Sequence, residues 1–333
     1  MSRIAVHEPR RKSWTARMGC LLAAGLLAGL AGCGSRSGPQ NEPPARLVIP
    51  PPAVGHLRWK NDPTLAFSPD GSLLAYLVFQ DDESRQIHVR NMASGATRPV
   101  PGTDGGDTPF FSPDSQWLGF FADGSVKKVP LSGGEAVTLT PKATNLRGAN
   151  WGPNGNIVFN LTDTDVLYEV SAQGGEPRQL TKLGEGEKSH RWPQFLPDGS
   201  AVLFTIAVSD SPDDSEIAAL RLDSGERKIL VRGGTFGRYA TTGHLVYHRG
   251  AGGGAILAVG FNLGALEVTG TPTPVTEGIL GSPPDTLTGV AQFAVSGTGS
   301  LAYVQPGEVK DLYQILVWPN WFEELKRVAT KAQ

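Results

Sequence analysis

Short apolar segments alternate with turns rich in Gly, Pro and Asp along most of the chain. One unit recurs: an aromatic residue, a tight turn such as Ser-Pro-Asp-Gly, and an apolar strand such as residues 73–79. The turn chemistry explains the pattern, because Pro fixes φ, Asp bonds its own backbone and Gly takes the position with positive φ. The six copies of the unit begin at Phe67, Phe111, Trp151, Phe195, Tyr239 and Phe293.

The spacing of these copies predicts a ring of small sheets. They begin 44, 40, 44, 44 and 54 residues apart, and each interval holds short apolar strands without room for a crossover helix. A period of about 40–45 residues with four strands is typical of a β-propeller. The sequence therefore predicts an all-β fold over residues 46–318, a six-bladed β-propeller of four-stranded antiparallel blades. A β-solenoid or an open sandwich is the alternative, although solenoids usually have shorter periods and sandwiches do not repeat a turn.

The two ends of this region predict how the ring closes. The sixth unit supplies three strands, near residues 289–294, 301–304 and 312–318, and its fourth strand is missing from the C-terminal side. Residues 46–49 precede the first unit and could pair with the last blade, which would remove its open edge. We therefore expect this segment to complete the sixth blade.

The hydrophobic period changes after Pro319. Asn320 and Glu323 have the spacing of an N-cap with a reciprocal Glu, and the apolar residues that follow share one helical face. This pattern predicts a short amphipathic C-terminal helix within residues 319–333, docked on the rim of the propeller. The apolar face consists of Trp321, Phe322, Leu325 and Val328.

The N-terminal residues have the features of an export signal. A basic start precedes an apolar run, Leu21 to Leu30, that is too short to span a bilayer as a resident helix. The run leads into Leu-Ala-Gly-Cys, which resembles the lipobox of bacterial lipoproteins. The resemblance implies a lipoprotein signal peptide at residues 1–32 and lipidation of Cys33. A plain signal peptide cut near the same place is the alternative.

Residues 33–55 are predicted to form an acylated Cys and a Pro-rich tether. Six prolines stand among small and polar residues between positions 34 and 55, which favours an extended chain. Gly34 follows the lipidated Cys where Asp would favour retention, so the family analogy implies the periplasmic side of the outer membrane. Anchoring at the inner membrane and secretion are the alternatives.

Charge and cysteine content argue against nucleic-acid binding and against disulfide bonds in the predicted propeller. The net charge is −2, and no basic stripe or aromatic-interleaved Arg cluster indicates nucleic-acid binding. Cys20 would leave with the signal and Cys33 would carry lipid, so the predicted propeller has no disulfide and no free thiol. Its stability must come from the burial of apolar residues.

The turns resemble the TolB-like repeat, also called the WD-like or Pro-Asp repeat, although the Trp-Asp dipeptide of true WD repeats is missing. A longer resemblance over residues 46–305 is to the C-terminal extracytoplasmic sensor propeller of bacterial transmembrane serine/threonine protein kinases. The sequence has no Gly-rich loop with a downstream Val-Ala-Ile-Lys, no His-Arg-Asp and no Asp-Phe-Gly, so we expect no kinase domain in it. The resemblance implies a sensing or interaction module and does not define a ligand. It is carried by residues 110–114, 120–124, 127–130, 151–153, 190–195 and 292–296, and residues 320–326 also resemble the terminal helix of that family.

The sequence carries few candidates for catalytic or metal-binding motifs. No Gly-x-Ser-x-Gly nucleophile elbow occurs, so we predict no enzyme activity and no cofactor. His244 and His248 share one face of a predicted strand but lack a third ligand, which favours a satisfied or exposed pair over a metal site. An acidic loop could hold Ca²⁺ through oxygen ligands, but its spacing does not match an EF-hand, and a solvated hairpin tip is the ordinary interpretation. Its carboxylates are Asp210, Asp213, Asp214 and Glu216.

Residues His190, Arg191 and Trp192 are the candidate ligand-binding group. They begin the fourth blade, and because inner strands of propellers line the central channel, they could bind an anion or an acidic tail. The alternative is structural: Trp192 packs between blades and Arg191 bonds loop carbonyls. The sequence leaves both interpretations open.

Taken together, the sequence predicts a non-enzymatic, lipid-anchored propeller that binds a protein or peptide in the cell envelope or acts as a sensor. A rigid ring of loops and a central channel suit recognition without chemistry. The alternative is an envelope hydrolase or lyase with its site at the mouth of the central channel.

Overall fold

The part of the chain that the computed structural model describes contains six four-stranded antiparallel sheets. The predicted six-bladed β-propeller is therefore confirmed. The described residues are 46–50, 52, 54–58, 61–140, 147–162, 164–250, 253–282, 286, 288–307 and 313–331. The predicted signal peptide, Cys33 and most of the predicted tether lie outside them.

Each of the first three blades takes its four strands from one continuous stretch of chain. Blade 1 contains β2 (Leu65–Phe67), β3 (Leu73–Phe79), β4 (Arg85–Asn91) and β5 (Thr97–Pro99). Blade 2 contains β6 (Asp107–Phe111), β7 (Trp117–Ala122), β8 (Ser125–Pro130) and β9 (Val137–Thr138). Blade 3 contains β10 (Ala149–Trp151), β11 (Asn156–Asn160), β12 (Leu167–Ser171) and β13 (Arg178–Gln179).

Blades 4 and 5 follow the same plan, and blade 6 adds a strand from the start of the described chain. Blade 4 contains β14 (Ser189–Phe195), β15 (Ala201–Ala207), β16 (Glu216–Arg221) and β17 (Arg227–Arg232), with a 3₁₀ turn at Pro212–Asp214. Blade 5 contains β18 (Thr235–Ala240), β19 (His244–Arg249), β20 (Gly253–Asn262) and β21 (Glu267–Leu280). Blade 6 contains β22 (Phe293–Val295), β23 (Leu301–Pro306), β24 (Tyr313–Trp318) and β1 (Leu47–Ile49).

The first strand of each blade, here called the inner strand, lies next to the central axis. Inner strands of successive blades contact one another, from β22 through β2, β6, β10 and β14 to β18. The blades pack face to face, because each apolar core cluster contains residues of at least two neighbouring blades. One cluster, for example, combines Leu77 and Ile87 of blade 1 with Leu118 and Phe120 of blade 2.

Strand β1 closes the ring as predicted. Leu47, Val48 and Ile49 pair antiparallel with Val317, Leu316 and Ile315 of β24. Ile49 is fully buried in the cluster shared by blades 6 and 1. The chain then continues onto blade 1, where His56 exchanges two backbone hydrogen bonds with Phe79. The end of the predicted tether thus packs on the propeller.

The sixth repeat begins two residues later than the repeat pattern in the sequence predicted. In blade 3, Gly152 N–H bonds Asn156 and Gly155 N–H bonds Gly152, and the same pair of turn bonds in blade 6 starts at Ser296. The residue equivalent to the aromatic anchors is therefore Val295, and Phe293 is instead a buried core residue. A very long outer strand in blade 5, β21, explains the wider interval before this repeat.

Three inner strands carry a β-bulge just before their anchor residue. In blades 2, 4 and 5 the pairing register shifts there, and the residue three positions before the anchor has positive φ: Thr108 at 50°, Trp192 at 56° and Phe236 at 57°. Such backbone is costly for non-Gly residues, especially bulky ones. A bulge re-aims the side chains that follow it, which matters for the residues on the channel side.

The C-terminal helix α1 (Trp321–Lys331) contacts β20 and β21 of blade 5. Trp321 and Leu325 are fully buried and Phe322 packs beside them, as the apolar face predicted. The side chain of Val328 lies outside the described residues. Over the described part of the chain, no helix has the length and apolarity needed to cross a membrane.

Candidate functional site

A cavity of about 410 Å³ lies at the end of the central channel where the inner strands finish. We call it the mouth cavity. All six repeats line it through the anchor residue of the repeat and the turn that follows. The anchors are Phe67, Phe111, Trp151, Phe195, Tyr239 and Val295. The turn residues two positions after the anchors also line the cavity: Pro69, Pro113, Pro153, Pro197, Thr241 and Gly297.

The residue just before each anchor also lines the mouth cavity, and these six residues differ between the two halves of the ring. Blades 3, 4 and 5 supply Asn150, Gln194 and Arg238, whereas blades 6, 1 and 2 supply Ala294, Ala66 and Phe110. The first three carry hydrogen-bond donors and the last three carry none. We call the two sides the donor half and the apolar half.

Asn150 and Gln194 are fixed in the same way. Asn150 Oδ1 accepts from the backbone N–H of Phe195 at 2.8 Å, and Gln194 Oε1 accepts from that of Tyr239 at 2.7 Å. Each amide oxygen therefore ties its blade to the anchor of the next blade. Because the oxygen is committed, the NH₂ group of each amide has to point elsewhere, and no protein acceptor for it is found among the described residues.

Arg238 cannot repeat that bond, because a guanidinium only donates. Its Nη1 donates to the carbonyls of Trp192 at 3.0 Å and Gly237 at 2.8 Å. Its Cζ lies 3.8 Å from the centre of the Phe236 ring, so the guanidinium stacks on that face. Within the described residues no carboxylate lies within 4.0 Å of it, and Nε and Nη2 have no protein acceptor. The group is held in place while two of its donor atoms remain available.

Burial lowers the pKa of the Arg238 guanidinium. Protein encloses the guanidinium on the sides away from the cavity, and this desolvation lowers the pKa of Arg238 to about 9. The side chain is nevertheless part-exposed, because the mouth cavity gives it a path to water. At neutral pH it is thus a charged group that has lost part of its hydration without gaining an anionic partner among the described residues.

The other end of the channel, where the inner strands begin, is tied across. Arg147 of blade 3 pairs with Asp62 of blade 1 at 3.1 Å, and Arg191 of blade 4 donates to the carbonyl of Thr288, before blade 6, at 2.9 Å. Blades that are not neighbours can meet only near the axis. These contacts therefore cross the channel, and we call this region the tied end.

The candidate ligand-binding residues His190, Arg191 and Trp192 do not line the mouth cavity. Trp192 is fully buried between blades 4 and 5, with its ring centre 5.7 Å from that of Phe236. Arg191 bonds the Thr288 carbonyl and Ser189 Oγ. These positions match the structural alternative for both residues, and a ligand-binding role for the group stays a prediction.

His190 is fully buried inside blade 4. Its Nδ1 lies 2.7 Å from Thr181 Oγ1 and its Nε2 lies 3.0 Å from Glu187 Oε2. Burial lowers the pKa of His190, although Glu187 acts against the shift. Burial also disfavours the charge of Glu187, but hydrogen bonds from Gly184 N–H, Arg227 and His190 hold the pKa of this carboxyl below its usual value. The cluster orders the loop before β14.

The two histidines and the acidic loop that the sequence offered as metal ligands each contact different groups. His244 contacts Thr242, whereas His248 is buried. Within the described part of the chain, no three His, Cys, Asp or Glu side chains are grouped so that they could hold a metal ion. Each carboxylate of the acidic loop has its own partner: Lys188 for Asp210, Gly250 N–H for Asp213, Ser209 for Asp214 and Arg232 for Glu216.

The donor half was missed by sequence analysis, although a signal for it exists. When the repeats are aligned on their anchors, the position before the anchor holds Ala66, Phe110, Asn150, Gln194 and Arg238. A charged residue in an otherwise uncharged column is the signal. Only the bulges and the closed ring show that this column faces the channel.

Comparisons with known proteins agree with this fold. No family model matches the sequence. The chain is 24% identical over 156 residues to the uncharacterized peptidase YuxL of Bacillus subtilis (strain 168). The matched region covers 45% of this chain and 18% of that protein. The chain thus spans less than a fifth of that relative's length.

Several solved structures resemble the chain in fold. The β-propeller domain of Myceliophteria thermophila Cps50 (Swd1) has a TM-score of 0.53 at 11% identity, covering 82% of this chain and 99% of that one. An oligogalacturonate lyase in complex with manganese has a TM-score of 0.51 at 14% identity, covering 82% and 93%. A TolB of Agrobacterium tumefaciens has a TM-score of 0.50 at 18% identity, covering 68% and 80%. The fold is a TolB-like β-propeller, as the repeat turns indicated.

Proposed function

We propose that this chain is a non-enzymatic binding or sensor module of the cell envelope, anchored by lipid on Cys33, whose mouth cavity receives a segment of a protein or peptide. The observation that carries the proposal is the mouth cavity itself. All six repeats contribute apolar anchors or turn residues to it, and one side presents unpaired donors. A concave, mostly apolar site with a few fixed polar groups is the usual form of a binding pocket.

The lining favours binding over catalysis. Arg238 and Tyr239 are the titratable side chains among the described residues that line the mouth cavity. General acid–base chemistry needs a positioned acid and base, and metal chemistry needs a ligand set. The likeness to a lyase structure concerns the fold, and the peptidase relative matches over a small share of its length, so neither moves the proposal towards the hydrolase or lyase alternative.

The envelope location rests on the sequence. The lipobox-like residues that end in Cys33 support export and lipidation, and the Pro-rich residues after it support a tether that holds the propeller off the membrane. The resemblance to kinase sensor propellers supports a sensing role. For the anchor, we expect full-length protein to sediment with membranes and the Cys33→Ser variant to be released from them. Equal membrane association of the two would contradict lipidation at Cys33.

The test of binding places a photo-crosslinking amino acid in the full-length protein in native envelopes. At Tyr239, which lines the mouth cavity, we expect a discrete cross-linked species. The control is the same amino acid at Val137, an exposed residue of the outer strand of blade 2, where we expect none. Equal cross-linking at both positions, or none at Tyr239 in folded and acylated protein, would contradict the proposal.

A further inference from the structure

The donor half of the mouth cavity indicates the chemistry of its ligand. Three successive blades place donors at the same position, before the anchor: the NH₂ of Asn150, the NH₂ of Gln194 and the guanidinium of Arg238. The orientation of each is set by the protein, the amides by their bonds to Phe195 and Tyr239, and the guanidinium by the Phe236 ring. Fixed donors without an acceptor suit an anionic oxygen group.

The charge of Arg238 strengthens the case for an anionic ligand. Its described surroundings supply carbonyls and an aromatic face, which orient the guanidinium without neutralising it. A partly desolvated charge gains most from a counter-ion that brings hydrogen-bond acceptors with it. The planar fork of Arg matches the geometry of a carboxylate, and Nε and Nη2 form one edge of that fork.

The apolar half adds a second requirement. Ala66 and Ala294 occupy the positions that hold donors in the opposite blades, and Phe110 completes this side. The two small side chains leave room beside an apolar wall. A ligand that fits both halves therefore carries a carboxylate next to an apolar group.

The tied end limits how far a ligand can continue. The Arg147–Asp62 pair and the bond from Arg191 to Thr288 cross the channel beyond the cavity. A peptide that enters by the mouth meets these contacts, so a chain end fits the space better than a strand that passes through. The main-chain carboxylate at the C-terminus of a peptide meets this condition.

We propose that the mouth cavity binds the C-terminal carboxylate of a peptide with apolar residues at its end, the carboxylate on Arg238, Gln194 and Asn150 and the terminal side chain against Ala66, Ala294 and Phe110. This inference rests on the proposed function, since it specifies the segment that the module receives. Backbone capture of chain ends is a known mode of peptide recognition, and here side-chain donors would carry it.

The test uses affinity selection on full-length protein in detergent with three degenerate pentapeptide libraries. All three have Ala, Val, Leu or Phe at the apolar terminal positions. The first has a free C-terminal carboxylate, the second a C-terminal amide, and the third an amide preceded by one Asp. We expect wild-type protein to retain the first library over the second by about tenfold or more, as expected for a charge-assisted pair in a desolvated site.

Two variants assign this preference to the donor half. Arg238→Met removes the cation, and Gln194→Glu keeps the oxygen that accepts from Tyr239 N–H while replacing the NH₂ donor with a negative charge. Both should abolish the preference for the carboxylate. Arg238→Lys should retain part of it, because Lys keeps the charge without the planar fork. The matched control is Arg178→Met, an exposed arginine on the outer strand of blade 3, which should leave the preference unchanged.

The outcomes separate this inference from the proposed function. Equal retention of the first two libraries, or a preference that survives both Arg238→Met and Gln194→Glu, would overturn the carboxylate site. Retention of the third library as strong as that of the first would overturn the choice of the C-terminus. In each case the cross-link at Tyr239 could still form, so the binding module would stand without this ligand.

Discussion

The two ends of the central channel use arginine in opposite ways. At the tied end, Arg147 faces Asp62 at 3.1 Å and joins blade 3 to blade 1. At the mouth, Arg238 bonds two carbonyls and a ring face, and no carboxylate of the described chain is within 4.0 Å. The first arginine is part of the scaffold. The second is oriented by the scaffold but left with a charge for which the described residues supply no counter-ion.

This difference shows how one repeat fold separates stability from recognition. Paired polar groups and buried apolar residues hold the blades, and their removal leaves unsatisfied groups or cavities. An uncompensated, partly hydrated cation contributes little to folding and can even oppose it. We therefore expect substitutions in the scaffold to lower stability and substitutions in the donor half to weaken binding.

The largest expected effect concerns Trp192, which the sequence offered as a binding residue. Its side chain is fully buried in the core between blades 4 and 5, so Trp192→Ala should destabilise the protein by about 3–5 kcal/mol through the cavity it leaves. Urea unfolding measures this. Val137→Ala, at an exposed position, should change stability by less than about 0.5 kcal/mol. If the Trp192→Ala protein had wild-type stability, Trp192 would not be part of the scaffold.

The next effect is a pH dependence that originates in the scaffold. Burial lowers the pKa of His248 to about 4, against 6.5 for the free side chain. Between these values the unfolded chain binds a proton that the folded protein excludes, so the free energy of unfolding falls as the pH falls, by roughly 3 kcal/mol at pH 4. His190, whose pKa burial also lowers, acts in the same direction.

Urea unfolding of wild type and His248→Gln at pH 7, 6, 5 and 4 checks this dependence. The variant should be less sensitive to pH over the range from 6.5 to 4. Arg238 keeps its charge throughout, because its pKa of about 9 lies above the range. Carboxylate binding by protein that is still folded should therefore persist where stability declines. An equally steep stability profile for the variant would show that His248 is not the cause.

A smaller loss is expected when the tied end is opened. Asp62→Ala leaves Arg147 without this partner, and because both side chains are mostly buried, we expect a loss of about 1–3 kcal/mol in the free energy of unfolding. Asp210→Ala is the control, since the Lys188–Asp210 pair is exposed and should contribute less than about 0.5 kcal/mol. Equal effects of the two substitutions would mean that the tied end does not support the ring.

The smallest effect on stability is expected at the mouth. Arg238→Met removes a partly desolvated charge that has no carboxylate partner among the described residues, so stability should stay within about 1 kcal/mol of wild type or rise slightly. The same substitution should abolish the carboxylate preference. A loss of stability as large as that of Asp62→Ala would show that Arg238 stabilises the fold as Arg147 does.

Much of the fold followed from the sequence because its signals are local. Each turn of Pro, Asp and Gly sets its own backbone, each apolar segment after it is a strand, and the period counts the blades. The closing strand at residues 47–49 was predictable as well, because the sixth unit lacks its fourth strand on the C-terminal side. The sixth repeat was placed two residues early, because Phe293 resembles an anchor in composition although it packs in the core.

The site was less predictable, since its residues carry no local signature. His190 and Trp192 drew attention as unusual residues at the start of a blade, yet a bulge and burial direct them into the protein. Arg238 precedes the anchor of the fifth repeat, and no motif around it marks a binding residue. Its role depends on the bulge between Thr235 and Arg238 and on which blades stand opposite blade 5.

The sequence by itself determined the number of blades, the turns between their strands and the segment that closes the ring, because short-range backbone preferences and a regular period specify each of these. Only the tertiary structure decided which positions face the axis, which arginine is paired and which is not, and that Asn150, Gln194 and Arg238 share one side of a cavity. Each of these residues is 44 positions from the next in sequence, and only closure of the ring makes them neighbours.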